Sequence, residues 1–187
     1  MRGLAVSAAR SELLSASFDY AIIHRSLTSS HSAILHRLFG HEAAVNDVAF
    51  VPGRPLAVSA SDDGSVGVWN LDEGALVTRF RDTGDKILDV TVSDDGAVTA
   101  SAGWDHTARV YDLESLTERA VMRGHDGNVN TVALAGEGNI LYSGSYDGTV
   151  RQWNARTGEQ LLIILKHGWG ATSLRVLPAA TPQPHGG

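Results

Sequence analysis

The chain has 187 residues, 43% of them hydrophobic, enough for one sizeable core and short for two. Lys and Arg total 15 against 21 Asp and Glu, a formal net charge of −6 with no basic run, which counts against nucleic acid or an anionic membrane as partner. The lack of cysteine excludes disulfides, thiolate metal sites and a Cys nucleophile, and the longest apolar run, Leu161 to Leu165, is far too short to span a membrane.

In chain order, MRGLAVSAAR lacks the long apolar stretch of a secretory leader, so the chain reads as unexported, with the cytoplasm the favoured compartment. A first unit begins near residue 2. The second, beginning near 45, is the clearest: VNDVAF (45–50), LAVSAS (56–61), SVGVW (65–69) and ALVTRF (75–80) are short, β-branched or apolar segments. Pro-Gly, Asp-Gly and Glu-Gly turn signals separate them. Further units begin near 87 and 129, and ATSLRV (171–176) has the pattern of one more first strand. PAATPQPHGG (178–187) is rich in Pro and Gly and is expected to be a disordered tail. No segment shows helical periodicity with caps.

The units are repeats. Ser15, Ser59, Ser101 and Ser143 recur at intervals of 44, 42 and 42 residues. Four positions after each Ser comes an Asp (Asp19, Asp63, Asp105, Asp147), and six further on stand Arg25, Trp69, Tyr111 and Trp153. His41 and His125 each follow a Gly and precede their Ser by 18 residues. Four strands in about 40–45 residues is the period of a propeller blade.

With Gly-His at its start, Ser in the second strand, Asp in the second turn and Trp closing the third strand, the unit resembles the WD repeat. Asn follows the Trp at Trp69-Asn70 and Trp153-Asn154, where that family often has Asp. The resemblance covers about residues 2 to 177 and implies an all-β propeller of about four four-stranded blades plus one extra strand. The blades fall at about 2–40, 41–82, 83–123 and 124–165, with the first strand of a further blade at 171–177. Such rings have about seven blades, within a general range of about four to eight, so an incomplete ring is expected, a truncated gene product or an excerpt of a longer ring, ahead of a closed four-bladed ring or an assembly of arcs. Open blade faces would favour self-association.

His41, Ser59 and Asp63 have the residue types of a catalytic triad. Against that reading, the same set recurs 84 residues later as His125, Ser143 and Asp147, and no G-x-S-x-G elbow surrounds either Ser. The resemblance implies a structural chain instead, Trp69 to Ser59 to His41 to Asp63 and Trp153 to Ser143 to His125 to Asp147. A buried indole N–H and hydroxyl need partners, and His can accept at one nitrogen while donating from the other. Asp85 stands in the third unit's His column and Tyr111 in its Trp column, and the first unit has Arg25, so neither closes in the same way. His24, His31, His36 and His41 lie close in sequence but form no ligand motif, and neither a metal nor a cofactor is implied.

By the same resemblance, the residue before each turn Asp faces solvent where partners bind. That column reads Phe18, Asp62, Trp104, Tyr146, and aromatic anchors dominate interface energetics. Asn46, Lys86 and Asn130 are secondary candidates at or just ahead of first strands. The function implied is a non-catalytic scaffold for a protein or peptide partner. Two alternatives stand beside it. LAVSAARSELLSASFDYAIIHRSL is similar to the opening of bacterial proteins that join WD repeats to a c-type cytochrome domain, which would make the chain a redox accessory. An incomplete gene product without independent function is the other.

Overall fold

The computed structural model describes residues 2–27, 32–81, 84–166 and 170–176. Within them the chain folds back and forth into four antiparallel four-stranded sheets, each a meander of consecutive strands. Blade one contains β1 (Leu4–Ser7), β2 (Glu12–Ala16), β3 (Ile22–Leu27) and β4 (Ser32–Leu38). Blade two contains β5 (Val45–Phe50), β6 (Leu56–Ser61), β7 (Ser65–Asn70) and β8 (Ala75–Arg81). Blade three contains β9 (Ile87–Val92), β10 (Val98–Gly103), β11 (Ala108–Asp112) and β12 (Thr117–Met122). Blade four contains β13 (Val129–Ala135), β14 (Ile140–Ser145), β15 (Thr149–Asn154) and β16 (Gln160–Lys166). These are blades of the β-propeller type.

The two middle strands of blades two and three are buried on both faces because each of these blades lies between two others. Alternate residues therefore serve different cores. Trp69 packs with Leu14, Ile22 and Leu38 of blade one, whereas its neighbour Val68 packs with Ile87 and Tyr111 of blade three. The third core, between blades three and four, gathers Val110, Met122, Leu141 and Trp153. In the column of Val68 and Val110, His24 is buried and Gln152 half-buried, its amide donating to the Tyr142 hydroxyl at 3.3 Å.

The innermost strands β1, β5, β9 and β13 are neighbours in that order. A side chain on each of the last three reaches a backbone N–H of the next inner segment: Val90 N–H donates to Asp47 at 3.3 Å, Val132 N–H to Asp89 at 2.9 Å, and Leu174 N–H to Thr131 at 3.1 Å. These polar groups border a cavity of about 390 Å³ that Asp94 and Arg175 also line.

The first strand expected at 171–177 is not formed over 171–176, and residue 177 and the tail at 178–187 lie outside the described residues. The segment nonetheless holds the place of an inner strand. Ala171 N–H donates to the Ser145 carbonyl at 3.0 Å, and the Asn130 amide donates to the Ala171 carbonyl at 3.1 Å. A strand needs a ladder partner on at least one edge, and no second strand lies beside this segment among the described residues.

Candidate functional site: blade locks and an aromatic end face

In blade two, β7 presents the Trp69 indole to the Ser59 hydroxyl on β6, 2.8 Å away. His41, on the loop before β5, lies 2.7 Å from the same oxygen through Nε2 and 2.8 Å from Asp63 through Nδ1. Ser59 accepts from Trp69 and donates to His41, which in turn donates to Asp63, so the indole N–H, the hydroxyl and both imidazole nitrogens are all satisfied. Blade four repeats the set at 2.7 Å from Trp153 to Ser143, 2.7 Å from Ser143 to His125 and 2.8 Å from His125 to Asp147.

The carboxylates anchor the turns. Asp63 also takes the Ser65 hydroxyl and the Glu42 N–H, and Asp147 the Thr149 hydroxyl and the Asp126 N–H. Burial alone would push both acids up. In Asp63 the bonds from His41, Ser65 and Glu42 outweigh it, and in Asp147 those from Thr149, His125 and Asp126 do, so both are held well below the usual carboxylate range. His125 is held below the ordinary histidine value, first by burial, which keeps it neutral and able to accept from Ser143. In both sets the serine oxygen is already engaged by an indole N–H and an imidazole nitrogen.

Arginine completes each lock by two routes. In blade four Arg151 on β15 donates to the Gly124 carbonyl at 2.7 Å and approaches Asp147 at 3.4 Å. Blade two has Gly67 in that column, where a Cβ would stand 2.8 Å from both Ser59 Oγ and Trp69 Nε1. Arg79, the cross-strand partner of Gly67 on β8, supplies the guanidinium instead and donates to the equivalent Gly40 carbonyl at 2.7 Å.

Blade three, without the His, is locked otherwise. Arg109 pairs with Asp105 at 3.0 Å, the Tyr111 hydroxyl lies 3.4 Å from Ser101, and Phe80 stacks on the Tyr111 ring at 4.3 Å. In blade one His24 pairs with Glu12 at 3.0 Å and stacks on His36. His31 lies outside the described residues.

The loops at the two ends of the blades differ in composition. All five exposed aromatic residues among the described ones, Phe18, Tyr20, Phe39, Trp104 and Tyr146, stand at the end that carries the second turn of each blade. Phe18 is 59% exposed, Trp104 38% and Tyr146 74%. Asp62, the acidic member of that column, sits between two of the rings as a counter-ion. Arg2 lies over the Phe18 ring at 4.2 Å and reaches Asp62 at 3.7 Å; Lys86 lies over the Trp104 ring at 5.0 Å and reaches Asp62 at 3.3 Å.

Asn46 does not face solvent, which corrects its candidacy as a contact residue. It is the bulged residue of β5, is buried, and its amide donates to Asp62 at 2.8 Å and to the Ile87 carbonyl at 2.7 Å. The bulge turns its side chain towards the next blade. Asn130 is the bulged residue of β13, half-buried, and spans to Ala171 in the same way.

Tyr20 and His106 escaped the sequence reading. They occupy the turn position of Gly64 and Gly148 and share its left-handed backbone, with φ of 69° and 66° against 77° and 80° for the glycines. A side chain there is strained, and both are exposed on the aromatic end. Their signal was in the repeat alignment: a residue with a Cβ where two sister units have Gly.

Comparison with known proteins agrees with this architecture. The family described as WD domain, G-beta repeat matches residues 32–70, 74–112 and 116–154. Each matched unit begins on the outer strand of one blade and ends on the third strand of the next, so the sequence repeat straddles a blade boundary. The human apoptotic protease-activating factor 1 is 32% identical over 124 residues, 66% of this chain and 10% of that protein. A guanine nucleotide-binding protein subunit beta of Arabidopsis thaliana is 33% identical over 143 residues, 71% of this chain and 37% of that protein. The nuclear distribution protein PAC1 of Arthroderma otae is 30% identical over 164 residues, 71% of this chain and 35% of that protein. The chain thus spans between a tenth and less than two-fifths of the length of these relatives.

Proposed function

The chain belongs to the WD-repeat family, and on that premise we propose that it is a non-catalytic scaffold that binds a protein or peptide partner through the aromatic end of its blades. WD-repeat proteins serve in protein interaction and scaffolding. The observation that carries the finer reading is the segregation of every exposed aromatic residue among the described ones to one end, with Phe18, Trp104 and Tyr146 in one repeat column. Large rings in solvent are costly for a monomer and valuable in an interface. Lys86 belongs to this surface through Trp104, and Asp62 through both cations.

The redox alternative, a propeller serving a c-type cytochrome domain, has no support in the family match or in these relatives and is set aside. The test compares Phe18→Ala/Trp104→Ala/Tyr146→Ala with a control carrying substitutions in the opposite loops, Asp72→Ala/Glu114→Ala. Loss of partner capture in the first variant alone, with both folded by circular dichroism, supports the proposal. Equal capture by both overturns it.

A further inference from the structure

The aromatic column holds three rings, and two are already paired with a cation of the chain itself. Phe18 has Arg2 and Trp104 has Lys86, each cation also within ion-pair distance of Asp62. The fold therefore shows twice which group a ring beside a carboxylate takes up on this surface.

Blade four carries the ring without the cation. The N–H of each pre-Asp residue in blades two to four donates to a carbonyl 18 positions earlier: Asp62 to Ala44 at 2.8 Å, Trp104 to Lys86 at 2.9 Å and Tyr146 to Asn128 at 2.8 Å. Lys86 is thus the residue whose backbone holds Trp104 and whose side chain crosses its ring. The same place beneath Tyr146 is filled by Asn128, which has no charge to offer. Among the described residues no cation lies over Tyr146, the most exposed of the large apolar side chains.

An acidic residue, Asp126, lies on the adjoining loop. Asp126 N–H is bonded to Asp147 at 3.0 Å while Tyr146 N–H is bonded to Asn128, so residues 126–128 and 146–147 run side by side. The equivalent acid of blade two, Glu42, is engaged by Arg79 at 3.1 Å and Arg81 at 2.7 Å. Asp126 is exposed and has no ion-pair partner among the described residues.

We propose that Tyr146 and Asp126 form a receptor for a guanidinium or ammonium group, so that the partner bound on this face presents an arginine or lysine side chain to blade four. The assignment rests on the interaction-face reading above and gives it a chemistry: the ring takes the face of the cation and the carboxylate its charge. The net charge of −6 favours approach of a basic segment.

The test uses the full chain with N-acetyl-arginine amide as probe, and the isosteric neutral N-acetyl-citrulline amide as control, read on the Tyr146 ring resonances by NMR. A saturable shift with the arginine compound and none with citrulline is expected. Asp126→Asn should weaken it by a factor of about two to five, the worth of one exposed charge contact. Asn128→Lys should fill the site from within, moving the ring resonances without probe and abolishing the probe's effect. Both substitutions lie on loops, and unchanged amide spectra elsewhere establish folding. Equal shifts with citrulline, or an arginine shift that persists in Asn128→Lys, would overturn the assignment. If the triple aromatic variant loses its partner while arginine fails to bind, this chemistry is wrong and the interaction face stands; if partner capture survives that variant, the face itself is wrong whatever arginine does.

Discussion

Trp69 donates its indole N–H to Ser59 Oγ at 2.8 Å, and the same oxygen lies 2.7 Å from His41 Nε2. A side chain with the neighbours of a nucleophile is thereby spent on holding β6, β7 and the loop before β5 together. Ser59→Ala should cost about 1–3 kcal/mol, because it leaves a buried indole N–H and a buried imidazole nitrogen without partners. Trp69→Phe should cost a similar or larger amount, and the double variant less than the sum, since the two share one network. Urea unfolding of the single and double variants measures this. Additive losses would mean that the chain is not a unit.

Stability should depend on pH through groups of opposite sign, for separable reasons. Asp63 and Asp147 have folded-state values below their unfolded ones, so their contribution is complete above about pH 4 and is lost as the pH falls through the folded value. His125 is also depressed, so its loss begins below about pH 6.5. Asp47 has the opposite sign. Burial, the nearby Asp89 charge and a hydrogen bond with Asp89 raise it to about 8. Its contribution is full below about pH 4 and is lost as the pH rises to its folded value. The stability of Asp47→Asn relative to the unsubstituted chain should therefore rise from pH 5 to pH 8 and then level off, whereas Asp147→Asn should flatten the acid limb. Urea midpoints at pH 3, 5, 7 and 9 decide. A difference for Asp47→Asn that is constant with pH would remove the charge argument.

Tyr20→Gly and His106→Gly should each stabilise the fold, by about 1 kcal/mol, by relieving a left-handed backbone that a Cβ disfavours. If the aromatic end is the binding face, Tyr20→Gly should at the same time weaken partner capture. Thermal unfolding and capture on the same preparation would expose that trade, and a destabilised Tyr20→Gly would show that the ring makes contacts outweighing the strain.

β16 is exposed along its whole length and carries five consecutive apolar residues, Leu161 to Leu165. An outer strand of that character invites pairing with another chain. Leu162→Lys/Ile164→Lys should reduce concentration-dependent light scattering without lowering the unfolding free energy by more than about 0.5 kcal/mol, as exposed positions allow. Unchanged scattering would show that β16 is not the adhesive surface.

What could be read from the sequence depended on whether a residue's role lies within one repeat. Turn signals and a 42-residue spacing located the four strands of blade two, and the lock of His41, Ser59, Asp63 and Trp69 was visible because its members lie in columns. Arg79 was not, because its role arises from cross-strand pairing with Gly67, a neighbour relation that register creates. The inward turn of Asn46 depends on a bulge, which the residue types alone do not announce. Asp47, Asp89 and Thr131 were legible in principle as polar residues recurring in otherwise apolar strands, but their acceptors' donors lie in the next repeat.

That last relationship also bears on how the chain comes apart. Asp47, Asp89 and Thr131 each satisfy an N–H 43 positions later, in the following unit. Each of these three units gives the segment that follows it a bond that segment cannot make for itself. Coupling of this nearest-neighbour kind makes unfolding a matter of domain walls: damage in one unit spreads to the adjacent one before it reaches the next. Amide exchange should accordingly be slowest in β6, β7, β10 and β11, which are flanked on both sides by blades among the described residues.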